Sequence, residues 1–218
     1  MLQLAICHLP TFFGNAPDRE TIEQHAAALP EEFRTALLSR TYMPSITQSL
    51  GGMLLLRHLL GADAFDRIAP QIVHDKNGRP YLPDGSLDFN ISHCDEYAVC
   101  VLETDIDRPR VGIDIQSLPA SRNTDKIARR FFTRNEYEYY SAHYDRELAF
   151  LRIWTRKEAL VKWKGATLGA TIHKLDSLLA PETEPVMFDE YIIGDAYMMT
   201  ICHRKNTPAP PQGEIKWM

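Results

Sequence analysis

Apolar and polar positions alternate along this chain in two distinct periods, and the changes of period mark its elements. Leu2-Gln3-Leu4-Ala5-Ile6-Cys7-His8 reads as a first strand. Residues 18–29 and 30–42 read as helices, the second opening at Pro30-Glu31-Glu32 with proline in the first turn. Leu50, Met53, Leu54, Leu56 and Leu60 recur at helical spacing and predict a longer helix over 46–60, with Gly61 as its stop. Asn77-Gly78 predicts a tight turn between extended segments. Residues 89–93 and 97–102 predict strands joined by the polar 93–96 turn, and residues 110–116 predict another strand. Helices are expected over 123–131, 134–142, 145–153 and 155–164, and strands over 186–193 and 196–203.

The polar run Asp105-Ile106-Asp107-Arg108-Pro109 separates two halves, so the expected organisation is an N-terminal lobe over 1–107, a C-terminal lobe over 108–203 and a flexible proline-rich tail over 204–218. Each half mixes helices with strands that look antiparallel. That pattern points to an α+β fold, not to a doubly wound parallel sheet.

Composition narrows the class. Apolar residues make up 44% of the chain, enough for a core, yet no run reaches 18 apolar residues, so no membrane partner is expected. The first ten residues lack a basic signal region, and the four cysteines are scattered without a C-x-x-C pair, which fits reduced thiols in the cytoplasm. The net charge of −5 conceals an asymmetry: residues 122–174 hold 12 of the 24 Lys and Arg against six of the 29 acids, a local +6 in a chain otherwise at −11. A basic window on an acidic protein suits a local anionic partner and does not indicate nucleic acid.

Two segments concentrate candidate chemistry. Asp114 and Gln116 stand at i and i+2 on a predicted strand and so share a face. A buried strand carboxylate is costly unless paired or bound to a cation, so Asp114 is either a turn cap or an oxygen ligand for a hard ion such as Mg²⁺. Glu158 likewise has two readings. Thr155-Arg156-Lys157-Glu158 fits a capping box at the start of a helix, and Glu158 and Lys162 form an i, i+4 pair. Alternatively, one carboxylate among Arg152, Arg156, Lys157, Lys162 and Lys164, near a helix N-terminus, suits a phosphate site. Ser92-His93 precedes a turn. His93 and Cys94, as strand neighbours, face opposite ways and make a poor nucleophile pair. No zinc spacing, P-loop, G-x-G-x-x-G or G-x-S-x-G is present.

In series, Gly78-Arg79-Pro80, Phe89-Asn90-Ile91-Ser92-His93, Val111-Gly112-Ile113-Asp114-Ile115, Phe131-Phe132-Thr133-Arg134-Asn135-Glu136-Tyr137 and Trp154-Thr155-Arg156-Lys157-Glu158-Ala159 with Lys162 and Gly165 resemble the 4′-phosphopantetheinyl transferases, in particular the two-lobed kind typified by the surfactin synthetase activator. The likeness covers roughly residues 76–170; residues 1–70 match only in general character. It implies a pseudo-dimer of two similar α+β lobes, monomeric, with coenzyme A in the cleft between them and Mg²⁺ on its pyrophosphate. It implies transfer of the 4′-phosphopantetheine arm to a serine of an acyl or peptidyl carrier protein, with release of 3′,5′-ADP. By the same resemblance Asp114, Gln116 and Glu158 would hold the metal, and Glu136 would be a further acid near it. Ser92, His93 and Lys157 would meet the coenzyme A phosphates, Arg79 the adenine and its ribose phosphate, and Lys162 the pyrophosphate and leaving group. Glu158, or a metal-held water, would take the serine proton. Two departures stand out. Gln116 replaces an acid found in many relatives, which keeps a non-catalytic coenzyme A or carrier-binding module as an alternative, and a metal-dependent phosphoesterase as a third reading. Gln48 occupies a position where a cation is expected; Arg40 or Arg34 would substitute.

Overall fold

A computed structural model of the chain describes residues 1–104, 109–117, 123–194, 196–208, 210 and 216–218. The first half runs β1 (Leu2–His8), α1 (Leu9–Phe13), α2 (Arg19–Ala26), α3 (Glu31–Leu38), α4 (Met43–Leu60), α5 (Ala62–Ile68), β2 (Val73–His74), β3 (Pro80–Tyr81), β4 (Asp88–Cys94) and β5 (Tyr97–Glu103). The second runs β6 (Gly112–Ser117), α6 (Thr124–Phe131), α7 (Arg134–Ala142), α8 (Arg146–Lys164), α9 (Leu168–Thr171), α10 (Ala180–Thr183), β7 (Val186–Ile193) and β8 (Tyr197–Arg204), with a short β9 (Lys216–Trp217) at the end. The fold is α+β.

The two halves repeat one topology. In the first sheet the order is β4-β5-β1, and in the second it is β7-β8-β6. In each trio the strand that comes last in sequence, β5 or β8, is central, and every pairing among these strands is antiparallel. A long helix crosses one face of each sheet: α4 packs on β1, β4 and β5, and α8 on β6 and β8. The expected boundary at 107/108 falls outside the described residues.

Alternation along the strands sorts side chains between layers. Ala5, Cys7, Phe89 and Cys100 join Leu50, Leu54 and Leu55 of α4 in one core. Leu2, Leu4, Ile6, Val99 and Val101 turn the other way and meet Ile113, Ile115, Met199 and Ile201 of the second sheet. The order is therefore helix, sheet, sheet, helix, and the two halves are joined by an apolar layer between sheets.

Where β4 meets β6 the joint changes character. The polar positions of β4 fall at every second residue. Asp88 Oδ2 accepts the Val111 amide at 2.8 Å, Asn90 Oδ1 accepts the Ile113 amide at 2.9 Å, and the Ser117 amide donates to Cys94 Sγ at 3.3 Å. Ser92 Oγ donates to Asp114 Oδ1 at 3.0 Å. Side chains thus supply what a backbone ladder would otherwise supply, and every such group on β4 is satisfied although buried or nearly so.

α8 lies so close to β6 that a Cβ on Gly112 would stand 2.1 Å from the Ala159 carbonyl oxygen and 2.7 Å from the Trp163 nitrogen. Both are helix backbone and have nowhere to yield. Gly112→Ala is therefore expected to push α8 off the sheet and cost at least about 2 kcal/mol, read as a shifted urea midpoint.

Several expectations need correction. The helices expected at 145–153 and 155–164 are one helix, capped at its start by Asp145, whose Oδ1 accepts the Leu148 amide at 2.9 Å, and closed by Gly165 in a left-handed conformation (φ 64°). Thr155 is no N-cap: its hydroxyl lies 2.9 Å from the Leu151 carbonyl, one turn back, and 2.7 Å from the Thr200 hydroxyl. The capping box in this chain is the other Thr-x-x-Glu, Thr133 to Glu136, at the start of α7. Helix α4 begins at Met43, three residues earlier than expected, with proline in its first turn. The tail does not end free: β9 pairs in parallel with β1 and the Met218 amide donates to the Ile6 carbonyl at 3.0 Å, which covers the open edge of β1.

Candidate functional site

The site forms where β4, β6 and α8 converge. Asp114 stands on the α8 face of β6 and is 2% exposed. Its Oδ1 accepts from Ser92 Oγ at 3.0 Å and from Lys162 Nζ at 2.8 Å, and its Oδ2 accepts from Gln116 Nε2 at 3.1 Å. The Lys162 ammonium also donates to Ser92 Oγ at 2.9 Å and to the Ile113 carbonyl at 2.8 Å. Lys162 has a long stem and projects from the last turn of α8, so its charge reaches the strand while its Cα stays on the helix.

Glu158 lies one turn before Lys162 on the same helix. It accepts no hydrogen bond among the described residues. Its pKa is pushed up to about 7, chiefly by loss of hydration and then by the Asp114 carboxylate, with Lys162 pulling the other way. Asp114, Gln116 and Lys162 are in direct contact, and Glu158 lies near enough to feel the charges of Asp114 and Lys162. Asp114 and Glu158 carry the carboxylate oxygens that a hard cation takes, although among the described residues no group of three or more His, Cys, Asp or Glu is placed to hold a metal ion. Gln116 turns its NH₂ toward Asp114; rotating the amide would present the oxygen instead.

Ser92 and His93 divide at this point. Ser92 belongs to the polar cluster. His93, the next residue, points the other way to the rim of a cavity of about 650 Å³ in the first half, walled by Phe33, Arg40, Ser49, Met53, His74 and Pro80 among others. Partial loss of hydration, then the Lys162 ammonium, lower the His93 pKa, with Asp114 opposing. Arg40 Nη1 donates to Ser49 Oγ at 2.8 Å on this wall. Of the two cations considered as substitutes for Gln48, Arg40 lines the cavity; Gln48 itself donates to the Asp95 carbonyl at 3.2 Å. Ser49, Met53 and His74 were not expected at a site. Ser49 sits mid-helix at an apolar-looking position, and only folding of α4 against β4 turns it to the cavity.

Two expected ligands are placed elsewhere. Lys157 is fully buried, with its ammonium 2.5 Å from Glu136 Oε2 and also bonded to the Leu175 carbonyl. The Glu136 carboxylate further accepts the Thr133 amide at 2.8 Å, the Ser177 amide at 2.7 Å and the Ser177 hydroxyl at 2.8 Å. Lys157 and Glu136 thus tie α7 and the 175–177 loop to α8 and reach neither a phosphate nor the metal candidates. The physical reason is register: on a continuous α8, Lys157 points about 100° away from Glu158. Arg79 is 8% exposed and makes two bonds to Asp88, at 2.8 and 2.6 Å, with others to the carbonyls of Val111, Lys162 and Pro80. Its guanidinium donors are committed within the protein, so it does not offer them to an adenosine. The basic window is likewise largely neutralised: Arg152 and Arg156 share Glu190, and Lys164 pairs with Glu184.

A carboxylate pair and an ammonium thus stand at the joint of two topologically matched halves, with a cavity alongside. Residues 110–206 match the family model described as the 4′-phosphopantetheinyl transferase superfamily. The chain is 30% identical to the 4′-phosphopantetheinyl transferase HetI of Nostoc sp. over 74% of this chain and 70% of that protein. It is 29% identical to the 4′-phosphopantetheinyl transferase psf-1 of Bacillus pumilus over 88% and 85%, and 35% identical to AcpT of Escherichia coli over 54% and 57%. The match to AcpT, like that to a Haemophilus influenzae protein of 54% coverage, spans little more than half of the relative's length. The chain belongs to the 4′-phosphopantetheinyl transferase family, a family of enzymes. Among the described residues no helix is long and apolar enough to cross a membrane.

Proposed function

We propose that this protein transfers the 4′-phosphopantetheine group of coenzyme A to a serine hydroxyl of an acyl or peptidyl carrier protein. The reading is carried by the single cluster in which Lys162 bridges Asp114 and Ser92 beside Glu158. In this reaction the serine oxygen forms a bond to the phosphorus that carries pantetheine. The bond from that phosphorus to the bridging oxygen of the pyrophosphate breaks, and 3′,5′-ADP departs with the electron pair. Phosphoryl transfer of this kind demands positioning and charge compensation more than a covalent nucleophile.

The residues divide the work as follows. Lys162 stands where a pyrophosphate oxygen would gather charge and stabilises the leaving group. Glu158, which accepts no hydrogen bond among the described residues and whose pKa is pushed up to about 7, accepts the serine proton. Asp114, Glu158 and, after rotation of its amide, Gln116 form an oxygen donor set that fits Mg²⁺, which when bound would neutralise pyrophosphate charge. The cavity walled by Arg40, Ser49 and His93 receives the anionic adenosine end of coenzyme A, with Arg40 as the cation opposite its ribose phosphate. We take the enzyme to act as a cytoplasmic monomer, because both matched halves of the cleft lie in one chain, and we keep 1–107 and 108–203 as its two lobes.

The test is direct. Incubated with coenzyme A, Mg²⁺ and a panel of apo carrier proteins, the folded protein should add one phosphopantetheine mass to a carrier serine and release 3′,5′-ADP. Tight coenzyme A binding with no mass gain on any carrier would favour a binding module, a reading that Gln116 in place of an acid keeps in view. Release of inorganic phosphate in place of 3′,5′-ADP would sink the transferase reading.

A further inference from the structure

Arg79 is buried and its guanidinium makes five bonds within the protein, a site that asks for a role of its own. Asp75 to Arg79 form the turn between β2 and β3: the Asp75 carboxylate accepts the Asn77 amide at 2.8 Å and the Arg79 amide at 2.9 Å, and the Gly78 amide donates to the Asp75 carbonyl at 2.9 Å with φ 84°. That turn sits against the far end of α8. Arg79 Nε donates to the Lys162 carbonyl at 3.0 Å, and Asn77 Nδ2 donates to the Gly165 carbonyl at 2.7 Å. Both carbonyls lie at the C-terminal end of α8, the Lys162 carbonyl also accepting the Gly165 amide at 3.0 Å, so a segment of the first half helps to cap a helix of the second. Through Nη2 the same guanidinium also holds the Val111 carbonyl at 2.7 Å, and Asp88, which anchors it, accepts the Val111 amide at 2.8 Å.

One rigid group therefore grips the backbone of Lys162 on α8 and of Val111, the residue before β6. Three residues beyond Val111 is Asp114, and the side chains of Lys162 and Asp114 meet at 2.8 Å. The turn's other side faces the cavity, where His74, Gly78 and Pro80 contribute to the wall.

We propose that Arg79 is a positioning residue for the transfer reaction, a brace that fixes the separation of α8 and β6 beneath the Lys162–Asp114 pair and ties that pair to the cavity wall. The proposal rests on the transferase reading for its kinetic consequence but not for its structural one. Only arginine suits the task, because a planar fork with separate donors can bond Asp88 twice and still reach two carbonyls, whereas a lysine ammonium cannot. Misplacement by about 1 Å at a site of this kind costs on the order of 10²-fold in rate.

The experiment compares the full-length protein with Arg79→Lys and Asn77→Ala. Arg79→Lys keeps a charge opposite Asp88; Asn77→Ala removes only the Gly165 contact from an exposed turn and serves if the first variant folds poorly. Three readouts are taken: amide hydrogen exchange over residues 160–166, coenzyme A affinity by calorimetry, and the transfer rate at saturation. We expect faster exchange in that segment, affinity within about threefold of the parent, and kcat lowered by about 10²-fold for Arg79→Lys and by several-fold for Asn77→Ala. A large loss of affinity at unchanged kcat would make Arg79 a ligand contact and overturn the proposal, as would unchanged exchange in both variants. Should the parent show no transfer, the transferase reading fails by itself, and the exchange measurement still decides the brace.

Discussion

Glu158→Gln is expected to do two opposite things: lower transfer by about 10²- to 10³-fold and, in the metal-free protein at pH 8, raise stability by roughly 2 kcal/mol. The first follows from removing the proton acceptor and a member of the oxygen donor set. The second follows from linkage. The Glu158 pKa in the folded chain is about 7 against an ordinary 4.5, so the folded state holds its proton more tightly than the unfolded state does. The associated stability is fully present below about pH 4.5 and is lost as pH rises through about 7. Glutamine cannot ionise and escapes that loss. Partial access to water keeps the gain below a unit-by-unit conversion of the shift. Urea midpoints at pH 5 and pH 8 with a chelator present, alongside the carrier assay, read both effects. A variant less stable than the parent at pH 8 would mean that the carboxylate has a favourable partner, and undiminished transfer would remove it from the chemistry.

Breaking the Lys157–Glu136 pair should have the largest effect on folding. Burial lowers the Lys157 pKa and Glu136 raises it. Glu136→Ala leaves an ammonium in a water-free place with one carbonyl for company, frees the Ser177 donors and opens the capping box of α7. A loss of about 3–5 kcal/mol is expected, visible as a fall in melting temperature and urea midpoint. Replacing both partners together, Glu136→Gln with Lys157→Met, should recover part of that loss, since the uncompensated charge is gone. Calorimetry on the double variant then settles the correction made above: coenzyme A affinity should stay within about threefold of the parent. A collapse of affinity in a folded double variant would restore Lys157 to the phosphates.

How far the sequence could be read depended on whether a residue's role was local. Strand alternation in β4 and β5, the Gly61 stop and the Asn77-Gly78 turn are consequences of neighbours a few positions away, and all were visible. The contact of Asp114 with Lys162 depends on a long-range pairing that periodicity lacks and that only a family resemblance suggested. The misreadings share a cause. Thr155-Arg156-Lys157-Glu158 and Thr133-Arg134-Asn135-Glu136 carry the same capping signature, and only the contact of α8 with β8, which places Thr155 against Thr200, decides that the former is mid-helix. Within α8, Lys157 lies about 100° round the helix from Glu158 and faces Glu136, while Lys162 faces Asp114. Arg79 offers a charge in a turn, which reads as accessible; its burial depends on Asp88, Val111 and Lys162 arriving from three separate elements. The short helices α1 and α5 were missed because one or two turns leave too little periodicity to detect.

The joint between β4 and β6 carries a further lesson for recombination. A backbone ladder is nearly indifferent to which residues compose it, so halves joined that way can be exchanged freely. Here the alignment of the two halves is written in the identities at positions 88, 90, 92 and 94. A chimera that takes its first half from one relative and its second from another would need those four side chains to travel with the C-terminal donor, or the halves would dock out of step and Lys162 and Asp114 would lose Ser92.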